Sequence, residues 1–143
     1  ELGEAILKEW PAGERKHRFV VLTGGEPGLQ VDVALIEAFH ARQFRIAIET
    51  NGTVSLPSGI DWICVSPKST ATLTICAGDE LKLVFPQLEA MPEVFEGLDF
   101  EHFFLQPMDG PDRARNTAQA IEYCRRKPNW RLSVQTHKMI GIP

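Results

Sequence analysis

Four times along the chain a short apolar run stops abruptly at a polar segment that carries glycine or proline. Arg18-Phe19-Val20-Val21-Leu22 runs into Thr23-Gly24-Gly25-Glu26-Pro27-Gly28, and Arg45-Ile46-Ala47-Ile48-Glu49 into Thr50-Asn51-Gly52. Trp62-Ile63-Cys64-Val65 is followed by Ser66-Pro67-Lys68, and His102-Phe103-Phe104-Leu105 by Gln106-Pro107-Met108-Asp109-Gly110. Runs this short and this rich in β-branched and aromatic residues read as buried strands. Gly, Asn and Pro mark their ends because they turn the chain or withhold an N–H from the ladder.

Residues 80–85 and 131–134 add two further strands, and Glu4 to Glu9 reads as the tail of a helix. Over residues 31–42, Val31, Leu35, Ala38 and Phe39 fall at helical spacing, and Asp32 suits a first turn. A second helix is expected over 113–127, where Arg125-Arg126-Lys127 complement the negative end of the helix dipole and Pro128 stops it. Strands separated by helices and longer crossovers imply a mostly parallel sheet with right-handed connections. The fold class is therefore α/β, a single domain over residues 1–143. Whether the sheet is open or a barrel, ligands collect where strand C-termini point, and all four polar segments fall there.

With 15 Lys and Arg against 19 Asp and Glu, a net charge of -4 and 43% hydrophobic residues, the composition is that of a soluble globular domain. It offers no general basic field for nucleic acid, and no run reaches the ~18 apolar residues of a membrane span. The opening Glu1-Leu2-Gly3-Glu4 is not signal-like, so a cytoplasmic location is expected. Cys64, Cys76 and Cys124 are widely separated and odd in number, which reads as buried thiols. The chain begins without Met inside a helical pattern, so preceding sequence is expected.

The strand ends carry chemistry. Gly24 and Gly25 let a ligand approach the backbone, and Glu26 adds an anionic acceptor suited to an ammonium group; a plain glycine-rich connection is the alternative. Glu49, closing an apolar strand, is either a ribose-hydroxyl acceptor or a charge paired with a neighbouring Lys or Arg. Ser66 and Lys68 suit a ligand carboxylate or form an ordinary turn, and residues 106–109 either offer amide, backbone and carboxylate groups that can read a heterocycle edge or, with Pro107 and Gly110, are plain loop punctuation. His137, without its surroundings, reads as structural.

Taken together these segments resemble a known family. Thr23-Gly24-Gly25-Glu26-Pro27 after an apolar strand resembles the glycine-glycine-glutamate motif of radical S-adenosylmethionine enzymes. Glu49-Thr50-Asn51-Gly52, Ser66-Pro67-Lys68, Gln106-Pro107-Met108-Asp109 and the tail from Gln135 to Pro143 are similar to those of 7-carboxy-7-deazaguanine synthases, from about Phe19 to the last residue. The resemblance implies a partial, TIM-like barrel of the radical S-adenosylmethionine type. It also implies ring contraction of 6-carboxy-5,6,7,8-tetrahydropterin to 7-carboxy-7-deazaguanine with loss of ammonia, in queuosine and deazapurine biosynthesis.

On that reading Gly24, Gly25 and Glu26 hold the methionyl ammonium of S-adenosyl-L-methionine, and Glu49 and Ser66 approach its ribose. Pro67, Lys68, Gln106, Pro107, Met108 and Asp109 complete the cofactor pocket. Thr23, Asn51 and His137 face the pterin, with His137 as the catalytic candidate. The α-carboxylate of Pro143 matches the two-donor edge of the pterin. The family also implies a 4Fe-4S cluster, Mg2+, a reducing protein such as a flavodoxin, and a homodimer.

The sequence departs from the family in lacking its three cluster-binding cysteines and the magnesium residue upstream of the glycine-glycine-glutamate motif, and Cys64, Cys76 and Cys124 do not replace the cysteines by spacing. The expectation is a C-terminal portion of a longer radical S-adenosylmethionine domain, inactive as it stands. The alternatives are another radical enzyme of this superfamily, such as one activating a protein glycine, and a non-catalytic α/β domain binding a small ligand.

Overall fold

The structure, a computed structural model, describes residues 2–69 and 71–142. Six strands form one sheet: β1 (Phe19–Leu22), β2 (Arg45–Thr50), β3 (Trp62–Val65), β4 (Ala77–Phe85), β5 (Asp99–Pro107) and β6 (Trp130–Leu132). Every neighbouring pair is parallel, and the strands lie side by side in chain order. Four α-helices accompany them, α1 (Leu2–Glu9), α2 (Val33–His40), α3 (Arg113–Arg126) and α4 (Thr136–Ile140).

The core shows why this is a barrel left open and not a doubly wound sheet. A doubly wound sheet reverses strand order and carries helices on both faces. Here the order never reverses, and the helices that pack on the sheet share one face. Ile36 and Phe39 of α2, with Ile6 and Leu7 of α1, pack on Val20, Leu22 and Ile46. Ala120 and Tyr123 of α3 pack on Leu81, Leu83, Phe85, Leu105 and Trp130. Register joins the two sets on the same side, since Val20 pairs Ile46, Ile48 pairs Ile63 and Val65 pairs Leu81.

The opposite face carries the alternate residues and has no helix over it among the described residues. Glu49, Cys64, Glu80 and His102 are register neighbours across β2 to β5, Trp62 stacks on the His102 ring at 5.9 Å, and Phe19 and Val21 are each 45% exposed. The area agrees. A compact protein of 16.0 kDa exposes about 7,400 Å², whereas this one exposes 8895 Å².

Local chemistry sets the boundaries. Asp32 is the N-cap of α2, accepting from the Leu35 N–H at 2.8 Å, so the helix starts two residues later than its apolar spacing suggests. Strands β4 and β5 each extend beyond their apolar cores, because Ala77 pairs Asp99 and Gly78 pairs Phe100 in register. Strand β6 lies one residue earlier than expected and is short.

Candidate active site at the strand ends

The C-terminal ends of β1 to β5 surround one cavity of about 480 Å³, within the ~300–1,000 Å³ range of small-ligand sites. Thr23, Gly24, Gly25, Glu26, Glu49, Asn51, Ser66, Lys68 and Gln106 line it together. Residues separated by more than 80 positions in the chain meet because parallel strands point every C-terminus the same way. Thr50, Lys82, Val84 and Gln135 also line it, and none of these was singled out as a site residue.

After β1 the chain turns through Gly24 and Gly25, at φ +83° and +57°. Both lie in the left-handed region that an L side chain adopts only with strain. A Cβ at either position would meet no protein atom within 4 Å. Backbone conformation, not crowding by the protein, therefore calls for glycine, and the space beside it is open to a ligand.

Glu26 stitches two rims together. Its Oε1 accepts from the Gly28 N–H at 2.9 Å and the Thr50 hydroxyl at 2.6 Å, and its Oε2 accepts from the Asn51 N–H at 2.8 Å. Burial acts to raise its pKa, but the hydrogen bonds from Thr50, Asn51 and Gly28 outweigh burial and hold the carboxyl below its ordinary range. A carboxylate has about four acceptor positions; with three filled, one is left for a ligand donor. Thr50, 2% exposed, also accepts from the Gly52 N–H at 3.1 Å.

Glu49 is paired, as one of its two sequence readings anticipates: Lys82 Nζ lies 2.7 Å from Glu49 Oε1. Burial acts to lower the Lys82 pKa, but the hydrogen bond to Glu49 and the surrounding acidic groups raise it, so the lysine is charged. Lys68 donates to the Ser66 hydroxyl at 3.1 Å. The Asn51 side-chain oxygen accepts from Thr53 N–H and hydroxyl, at 2.9 and 2.7 Å. That fixes the carboxamide orientation and leaves its NH2 as a donor.

The remaining expected residues are not brought to the cavity wall. Pro67 is buried between the lining residues Ser66 and Lys68, and Pro107 lines a neighbouring pocket of about 120 Å³ with Val134, Gln135 and Lys138. Met108 is 38% exposed, its N–H bonded to the Phe85 carbonyl. Asp109 pairs with Lys138, whose hydrogen bond is the first cause of its lowered pKa. His137 lies exposed on α4, its carbonyl accepting from the Ile142 N–H. Pro143 lies outside the described residues.

The residues present do not fit an iron–sulfur cluster or a magnesium ion. No group of three or more His, Cys, Asp or Glu that could hold a metal occurs among the described residues. Cys64 is on β3, Cys76 is an exposed residue just before β4, and Cys124 is on α3. Burial pushes the Cys64 thiol up to about 12, far from the thiolate a cluster requires. Likewise, no helix among the described residues is long and apolar enough to cross a membrane.

Fold and cavity define the class: an α/β protein of the open-barrel type with a polar cavity of small-ligand size on its C-terminal rim. The chain is 63% identical over 142 residues to the 7-carboxy-7-deazaguanine synthase of Bradyrhizobium diazoefficiens, covering 99% of this chain and 67% of that protein. The chain belongs to the 7-carboxy-7-deazaguanine synthase family, and so to a family of enzymes. The synthase of Caulobacter vibrioides is 59% identical over 143 residues, covering all of this chain and 68% of that protein. A crystal structure of QueE from Escherichia coli matches with a TM-score of 0.67 and 28% identity, over 94% of this chain but only 61% of that one. No family model matches the chain.

Proposed function

We propose that the full-length protein carrying this segment converts 6-carboxy-5,6,7,8-tetrahydropterin to 7-carboxy-7-deazaguanine and ammonia, and that the cavity at the strand ends holds S-adenosyl-L-methionine beside the pterin. The product is the substrate less one ammonia, so no net oxidant or reductant is consumed. The observation that carries this reading is the convergence of residues 23–26, 49–51, Ser66, Lys68 and Gln106 on one polar cavity. It is reinforced by high identity to synthases of that name.

The cavity suits the cofactor. The open backbone at Gly24 and Gly25 and the unfilled acceptor position on Glu26 fit an ammonium. Glu49 and Ser66 fit a ribose, and Lys68 and Gln106 the remaining polar groups. When bound, S-adenosyl-L-methionine supplies the radical chemistry that removes a hydrogen at pterin C6. This chain's residues bind and orient both molecules and limit water around them. On this reading Thr23 and the NH2 of Asn51 serve the pterin, and His137 and the Pro143 α-carboxylate are assigned to it by the family resemblance alone.

The ligands of the 4Fe-4S cluster and of Mg2+ belong, on this reading, to the part of the full protein that the relatives carry beyond this chain's match. The 143 residues alone are then inactive. A homodimer, a flavodoxin-type donor and a cytoplasmic setting complete the reading.

The test is anaerobic reconstitution of the full-length protein with iron and sulfide, then incubation with S-adenosyl-L-methionine and the carboxypterin. Mass-spectrometric appearance of 7-carboxy-7-deazaguanine is expected. Deoxyadenosine formation with the carboxypterin unchanged would assign another radical reaction, and absence of both cluster absorbance and deoxyadenosine a binding domain.

A further inference from the structure

Lys82 looks, in sequence, like an outward residue of an alternating strand. In the fold it spans the floor of the cavity. Glu49 stands on β2 and Lys82 on β4, two strands apart, a gap of about 10 Å with β3 between. The small Cys64 side chain occupies β3 beside Glu49 in register and donates its thiol to Glu80 Oε1 at 3.4 Å. Only a long cation crosses such a gap. The Lys82 side chain is 16% exposed and its ammonium is 2.7 Å from Glu49 Oε1, while Glu49 is 43% exposed at the cavity wall. Glu49 Oε2 has no hydrogen-bond partner among the described residues.

We propose that Lys82 is a positioning residue for the ligand ribose: by holding Glu49 Oε1 it fixes the carboxylate so that Oε2 is presented to the ribose hydroxyls. The inference rests on reading Glu49 as the ribose acceptor. Without the lysine, Glu49 regains its rotamers and stands near a second carboxylate, Glu80, with no cation between them. The ribose then loses a preorganised acceptor, and ligand binding bears the cost of ordering it.

The test compares binding of S-adenosylhomocysteine and its 2′-deoxy analogue by calorimetry, using the reconstituted full-length protein without turnover. Wild type is expected to prefer the ribose form by about tenfold, one charge-assisted hydrogen bond. In Lys82→Met that preference falls to near unity, while Lys82→Arg, long enough to reach Glu49, retains it. A role confined to folding would weaken both ligands equally and leave the ratio unchanged, which overturns the proposal. If Lys82→Met does not fold, the double variant K82M/E80Q, which also removes the neighbouring carboxylate, must lose the preference in the same way. Glu49→Ala, which leaves no side-chain acceptor, separates the two readings. Preference retained in Glu49→Ala refutes Glu49 as the ribose acceptor, whereas preference lost in Glu49→Ala but kept in Lys82→Met refutes only the positioning role.

Discussion

Alternate residues of the same six strands meet two different environments. On the helix-covered face Ile46, Ile48, Val65, Leu81, Leu83 and Leu105 are fully buried among aliphatic and aromatic side chains. One residue along each strand, Glu49, Cys64, Glu80, Lys82, His102 and Gln106 look the other way, into hydrogen bonds, ion pairs and a cavity. The difference separates two jobs. One face supplies the apolar burial that holds the sheet together, and the other is free to carry charge because it is not asked to form the core. Substitutions on the first face should therefore change stability with little effect on ligand affinity per folded molecule, and the reverse should hold toward the rim.

The largest effect is expected at Leu83→Ala, which opens a cavity under α3 and should lower unfolding free energy by about 2–5 kcal/mol. Urea denaturation measures it; a loss below about 1 kcal/mol would show that the covered face is not the core. Thr50→Val comes next, at about 1–3 kcal/mol, because it removes a donor to Glu26 and leaves the Gly52 N–H unpaired.

That variant also has a pH signature. The Glu26 carboxyl sits below its ordinary value of 4.5 in the fold, so its contribution to stability is complete above that pH and is lost as pH falls through the lower folded value. In Thr50→Val the Glu26 titration, followed by carboxyl carbon NMR, should move up toward 4.5. No movement would mean that Thr50 does not hold the carboxylate.

Gly24→Ala should cost about 1–2 kcal/mol of stability, from a positive φ alone. It should cost more in cofactor affinity, since the added methyl projects into open cavity space. Equal losses in calorimetry and denaturation would contradict a ligand there. The smallest effect belongs to Asp109→Asn. Its partner Lys138 is on the short, exposed α4, so the unfolding midpoint should not move, while protease cleavage after Lys138 should quicken. An unchanged cleavage rate would show that the pair does not hold the tail.

How much of this was legible depended on whether a residue's meaning is local. The strand ends were, because Gly24, Gly25, Asn51, Pro67 and Pro107 mark turns by their own backbone chemistry, and parallel topology then gathers them. The extensions of β4 and β5 were not: Ala77 and Gly78 have no strand propensity and are held by pairing to β5. Helix α4 has no buried residue and so leaves no apolar periodicity to read. At the site, Thr50 and Lys82 escaped notice because their partners, Glu26 and Glu49, lie 24 and 33 positions away. Glu26 itself was read as a ligand group, whereas in the fold most of its acceptor capacity goes to the protein's own amides and hydroxyl.

The Glu26 carboxylate, shared between the amides of Gly28 and Asn51, couples the first two loops mechanically. Neither can swing away without freeing the Thr50 hydroxyl and the Asn51 N–H from Glu26, so the two should open as one cooperative unit. Their amide protons should then exchange with deuterated solvent at matched rates, and a bound nucleoside should slow both in parallel.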